Sequence, residues 1–159
     1  MQEHKNIEPL NTKKMKLKSF VLTLAALSLS LSACAHDQLI TFQQLPAPSQ
    51  AIINAHFNPA DISVVIMDKD LVDTDYEVRF TNGTKIEFDG DGSLDKIDCG
   101  LQPVPSALIP DPVKQYVSAQ FPNVYITEWK RDDWHWKAEL SNRLELIFNR
   151  NYEYVGIDD

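Results

Sequence analysis

The sequence predicts an α+β fold of two tandem repeats, each one helix followed by a four-stranded antiparallel sheet, with the helices on one sheet face. Three observations predict it. Tyr76, Val78 and Phe80 alternate with Glu77, Arg79 and Thr81, and Ile86 and Phe88 alternate with Lys85 and Glu87. This period of two is that of a half-buried strand. Asn82-Gly83 sits between the two runs and predicts a type I′ hairpin turn, because both residues tolerate positive φ. The same order of helix, strand and turn signals then recurs after residue 106.

The chain has 159 residues and is 43% apolar, enough for one compact domain with a real core. Residues 1–14 are polar and precede a second methionine, Met15, and read as an upstream extension. Residues 15–35 read as a secretory signal peptide. A basic start at Lys16 and Lys18 leads into an apolar run from Phe20 to Leu31, with small residues around Ser32-Ala33-Cys34-Ala35. The run is short for a membrane span. Two processing routes fit. Leu31-Ser32-Ala33-Cys34 has the form of a lipobox that would lipidate Cys34, whereas Ala33-Cys34-Ala35 suits ordinary cleavage to a soluble protein.

Residues 36–99 form the first predicted repeat. His36 to Gln44 is a polar lead-in. Pro46 and Pro48 open a helix carrying Ile52, Ile53 and Phe57 on one face, and Asn58-Pro59 ends it. Ile62 to Asp68 is a β-branched strand, followed by an acidic loop. The hairpin comes next, then the Asp89-Gly90-Asp91-Gly92 turn, then a return strand from Leu94 to Asp98. Residues 100–106 are a linker containing Pro103 and Pro105. Residues 107–159 repeat the plan. Ile109-Pro110-Asp111-Pro112 matches Leu45-Pro46-Ala47-Pro48; Trp136, Ala138 and Leu140 match Tyr76, Val78 and Phe80; Ile157-Asp158 matches Ile97-Asp98. Arg143 replaces Gly83, which argues against a second type I′ turn. The glycines of the next turn are replaced by Asn149-Arg150-Asn151-Tyr152, where Asn is the residue most tolerant of positive φ.

This pattern resembles the PepSY-like family of bacterial envelope proteins, also described as β-lactamase-inhibitor-protein-like. The residues that carry it include Tyr76-Glu77-Val78, Thr81-Asn82-Gly83, Ile86-Glu87-Phe88-Asp89, Ile97-Asp98-Cys99, Glu139-Leu140-Ser141-Asn142 and Gly156-Ile157-Asp158-Asp159. The resemblance implies two α+β repeats and export to the periplasm or cell surface; the two processing routes at Cys34 would leave either a soluble protein or an outer-membrane or surface lipoprotein. It implies no established activity, since shared architecture does not carry function.

Charge narrows the partners. The formal net charge is −8, and residues 1–34 hold five Lys against two acidic residues, so the remainder stands near −11. Such a surface repels nucleic acid and anionic headgroups. The membrane enters only through a lipid on Cys34. With Cys34 in the signal segment, Cys99 is the one thiol of the exported domain, so no internal disulfide is expected. The face opposite the apolar one carries Glu77, Arg79, Glu87, His135, Lys137, Glu139 and Glu145. It reads either as a solvated face with cross-strand charge pairs or as a surface for an envelope protein or peptide. Asp68, Asp70 and Asp73 in one loop and Asp89 and Asp91 in the next offer an alternative role in calcium binding. The second loop begins like an EF-hand, then has Leu94 where the turn glycine belongs. No other cofactor is implied. No G-x-S-x-G, H-E-x-x-H or phosphate-binding glycine loop is present, and a non-enzymatic protein is expected.

Overall fold

The structure is a computed structural model that describes residues 36–158. The predicted extension, the signal segment and the lipidation candidate Cys34 lie outside the described residues. Nine strands run β1 His36–Ile40, β2 Ile62–Lys69, β3 Thr74–Phe80, β4 Lys85–Phe88, β5 Leu94–Asp98, β6 Ile126–Asp132, β7 His135–Leu140, β8 Glu145–Phe148 and β9 Tyr154–Asp158. Two α-helices, α1 Ala47–His56 and α2 Asp111–Gln120, precede β2 and β6. Among the described residues no helix is long and apolar enough to cross a membrane.

The strands form one antiparallel sheet in the order β1 to β9. This corrects the expected α+β architecture of two repeats, each with its own four-stranded sheet. The molecule is mostly strand, and β5 pairs directly with β6, setting Ile97 opposite Trp129 and Asp98 opposite Glu128. Hydrogen bonds from Cys99 N to Thr127 O (2.9 Å) and from Val104 N to Ile126 O (2.9 Å) extend the join. Pairing these strands satisfies backbone groups that two separate sheets would leave as open edges. The polar lead-in is also partly strand, because β1 pairs with β2 from His36–Lys69 to Ile40–Val65.

Alternation sets the core. Val78, Phe80, Ile86, Phe88 and Ile97 pack with Trp129, Ala138, Leu140, Leu146 and Phe148 in a single buried cluster. The cluster also holds Ile53 from α1 and Val113 and Val117 from α2. Each helix begins after a proline, Pro46 or Pro110, whose ring suits the first turn. Gly92 fixes how closely α1 approaches the sheet. Its φ is +87°, and a Cβ there would fall 2.7 Å from Pro46 Cβ and 2.8 Å from Ser49 Oγ. Buried Ser49 donates to Gly92 O at 3.2 Å.

The turns differ from expectation. Gly83 has φ +89°, whereas Asn82 is absent from the left-handed residues, so the hairpin is not type I′. Asn82 Oδ1 instead accepts from Thr84 N at 2.9 Å. Arg143 takes φ +72° in the corresponding turn, and Tyr152 rather than either asparagine takes φ +62°. Tyr152 packs against Trp129 and Trp136, with centroids 6.4 and 6.1 Å away. These contacts offset the strain of a left-handed aromatic residue.

Candidate functional site

The sheet face away from the helices is a lattice of charge. The strand register places like charges opposite one another, as in Glu77–Glu87, Lys96–Lys130, Lys130–Lys137 and Glu139–Glu145. Direct opposition of like charges is unfavourable, and diagonal contacts resolve it. Lys85 Nζ lies 3.0 Å from Glu77 and 2.9 Å from Glu87. Lys130 Nζ lies 3.0 Å from both Glu128 and Glu145. Lys137 Nζ lies 2.6 Å from Asp132 and 2.7 Å from Asp158. Arg79 pairs with Glu77, and Arg143 reaches Glu139 at 3.0 Å.

The predicted recognition residues Glu77, Arg79, Glu87, Lys137, Glu139 and Glu145 therefore share one face and are already engaged. His135 is exposed at the start of β7, opposite Asp132. Burial alone would push the Glu128 carboxyl up, but hydrogen bonds from Lys130 and Lys96 hold it below its usual range. Hydrogen bonds to Asp132 and Asp158 raise Lys137.

At the β1–β5 end this balance fails. A groove of about 370 Å³ is lined by Asp37, Asp68, Asp73, Asp75, Glu77, Glu87, Asp89 and Asp95, together with Ile66, Tyr76 and Phe88. Among the described residues Arg79 is the one basic side chain in its lining. Asp75 is raised by burial and then by Asp73, Asp89, Asp95 and Asp68. Asp95 is raised by burial, with Asp89 and Glu87 adding to the shift and Arg131 opposing it.

The five aspartates predicted as calcium ligands divide. Asp68, Asp73 and Asp89 line the groove. Asp70 and Asp91 serve their own loops. Asp70 Oδ1 accepts from Val72 N at 3.0 Å and Asp73 N at 2.9 Å, and Asp91 Oδ1 accepts from Ser93 N at 2.8 Å. These backbone hydrogen bonds lower both carboxyls. Among the described residues no three His, Cys, Asp or Glu side chains stand ready to hold a metal ion. Sequence reasoning missed Asp37, Asp95 and Arg131. Asp37 was hidden in the polar lead-in, and Arg131 lies on a strand of the other half of the chain.

The family described as "Putative beta-lactamase-inhibitor-like, PepSY-like" matches residues 74–155. The chain belongs to the PepSY-like family. Solved structures agree. A Bacteroides thetaiotaomicron protein described as "a putative calcium-regulated periplasmic protein" is 35% identical, with a TM-score of 0.73 over 77% of this chain and 97% of that one. A Bacteroides vulgatus protein of the DUF2874 family, described as "a putative periplasmic protein", has the same identity, TM-score and coverage. A further B. vulgatus protein, described as "a putative periplasmic protein of unknown function", is 26% identical, with a TM-score of 0.72 over 78% of this chain and all of that one. No curated protein matches the chain. The PepSY-like comparison thus points to the periplasm, and the inhibitor-like description carries no catalytic role with it.

Proposed function

We propose that this PepSY-like chain is a non-enzymatic recognition protein of the cell envelope that binds a basic protein or peptide through its open sheet face. The acidic groove receives the positive charge. The observation that carries this reading is the groove's surplus of carboxylates: Arg79, Lys85 and Arg131 engage Glu77, Glu87, Asp89 and Asp95, while Asp37, Asp68, Asp73 and Asp75 line it with no ion pair among the described residues. A cationic side chain entering the groove relieves the repulsion that raises Asp75. The surrounding ladder sets register by charge, as interfacial charges commonly do. Export follows the signal segment, and Cys34 is the proposed lipid anchor.

The test is affinity capture from detergent-solubilised envelope extract, with an Asp68→Asn, Asp75→Asn, Glu77→Arg variant as control. A basic protein held by the parent, released by salt and lost by the variant supports the reading. Equal retention by both overturns it.

A second reading is calcium responsiveness. The carboxylate crowding at Asp75 and the description of the B. thetaiotaomicron relative favour it. A shell of six or more oxygens would draw on the groove's carboxylates together with backbone carbonyls. Calorimetry at millimolar calcium should then show saturable heat and a higher melting temperature. A flat titration removes this reading.

A further inference from the structure

Cys34 stands two residues before β1. His36 opens that strand and pairs with Lys69, the last residue of β2. The chain therefore enters the sheet beside the β2–β3 connection. A lipid carried on Cys34 would be joined to His36 by at most about 7 Å of extended chain.

The β2–β3 connection is the second observation. It has four residues, Asp70 to Asp73, where its counterpart between β6 and β7 has two, Asp133 and Trp134. The longer one folds on its own backbone. Asp70 N donates to Asp73 O at 3.1 Å, Asp70 Oδ1 accepts from the amides of Val72 and Asp73, and Asp73 Oδ1 accepts from Thr74 N at 2.9 Å. The aspartates turn to their own loop, and the two aliphatic residues between them stand out. Leu71 is 85% exposed and Val72 is 93% exposed. Burial of a leucine and a valine is favourable, and among the described residues nothing buries these two.

We propose that the Leu71–Val72 tip docks into the zwitterionic surface of the membrane that holds the Cys34 lipid, so that the protein is held there by both anchor and tip. This rests on the lipid anchor proposed above and goes beyond it. The short link makes insertion of the tip intramolecular, so that two side chains can hold where alone they would bind weakly. Charge selects the surface. Asp70 and Asp73 flank the tip, and anionic headgroups would be repelled. Asp73 also lines the acidic groove, so docking sets that groove beside the membrane. Trp134 is exposed too, but the Arg150 guanidinium lies 4.1 Å over its ring. Strand twist also turns its hairpin by about 80–100° over the four strand steps from β2–β3. It serves as an internal control.

The test uses the chain from Cys34 onward, joined through that thiol to maleimide headgroups on phosphatidylcholine vesicles. Cys99 is buried and stays out of the reaction. Val72→Trp adds a fluorophore at the tip. Its added fluorescence should fall by roughly half or more when the acyl chains carry bromine, because interfacial side chains reach about 5–10 Å into the headgroup–acyl boundary. The parent protein, with Trp134 exposed, should show no such loss, and Leu71→Asp in the Val72→Trp protein should abolish it. Unquenched Val72→Trp overturns the docking tip and leaves the anchor reading intact. Equal quenching with the Cys34 thiol blocked overturns the part given to the anchor. A concentration-dependent dimer in solution that Val72→Asp abolishes overturns the proposal in favour of a second copy. Absence of radiolabelled acyl chains on the protein in cells that export it overturns the anchor reading and this inference together.

Discussion

Arg131 on β6 holds Asp89 in the turn between β4 and β5, with Nη2 at 2.7 and 2.6 Å from the two carboxylate oxygens. The same nitrogen reaches Asp95 at 2.8 Å. A cation from the second half of the chain thus neutralises one wall of the acidic groove in the first.

Arg131→Gln should lower stability at neutral pH by about 1 kcal/mol or less, since the pair is partly exposed and screened. The difference should close as pH falls through the folded titration of Asp95, whose carboxyl burial raises while Arg131 opposes the shift. Thermal melts of both proteins across that range check it, and a difference that persists in acid contradicts it.

Asp75→Asn should stabilise the protein at neutral pH, by on the order of 0.5 kcal/mol for a side chain this exposed. The folded-state carboxyl titrates above its unfolded value. Its ionised form therefore costs stability above the folded pKa, and that cost disappears as pH falls through it. The gain should be seen in urea midpoints at pH 7 and be absent in acid.

Glu128 behaves in the opposite sense. Its folded pKa is depressed, so its contribution is present above the unfolded value and is lost as pH falls through the folded one. Glu128→Gln should cost about 1–3 kcal/mol at pH 7, because Lys96 and Lys130 lose their shared, nearly buried partner. Urea unfolding at pH 7 measures it.

Gly92→Ala should destabilise by about 2 kcal/mol or more. It combines a left-handed backbone with contacts of 2.7 Å to Pro46 and 2.8 Å to Ser49. Gly156→Ala, with open space at its Cβ, should stay within about 0.5 kcal/mol. Denaturant midpoints of the two variants give the comparison.

Cys99 should resist thiol reagents in the native protein. It is 6% exposed, and burial pushes its thiol up to about 11, so little thiolate forms at pH 8. Ellman's reagent should react with it only after denaturant is added. Rapid native labelling would show that the join beside it opens.

The alternating faces were legible because each strand buries one side, and Val78, Ile86, Ala138 and Leu146 all reach 0% exposure. The helices were legible from their prolines and apolar spacing. The single sheet was not, because the β5–β6 pairing joins strands separated by the linker and α2, beyond the reach of local pattern. Equal sequence signals also concealed unequal environments. Ile97 and Ile157 occupy like positions, yet only Ile97 has a strand on both sides. The groove was half visible as acidic loops, while Asp37 and Arg131 reach it through long-range pairing. Tyr152 shows tertiary packing overriding turn preference. Its ring is held by two tryptophans, although two asparagines stood closer to the expected conformation.

The join at β5–β6 also bears on how the molecule comes apart. Cutting the chain in the linker would expose Ile97 and Trp129 together and open two sheet edges where there were none. Neither piece would keep a closed core, so the halves should melt in one transition and fail to accumulate when expressed alone. During synthesis the first half would wait with its β5 edge bare until β6 arrives, which makes that interval the moment of greatest exposure to aggregation.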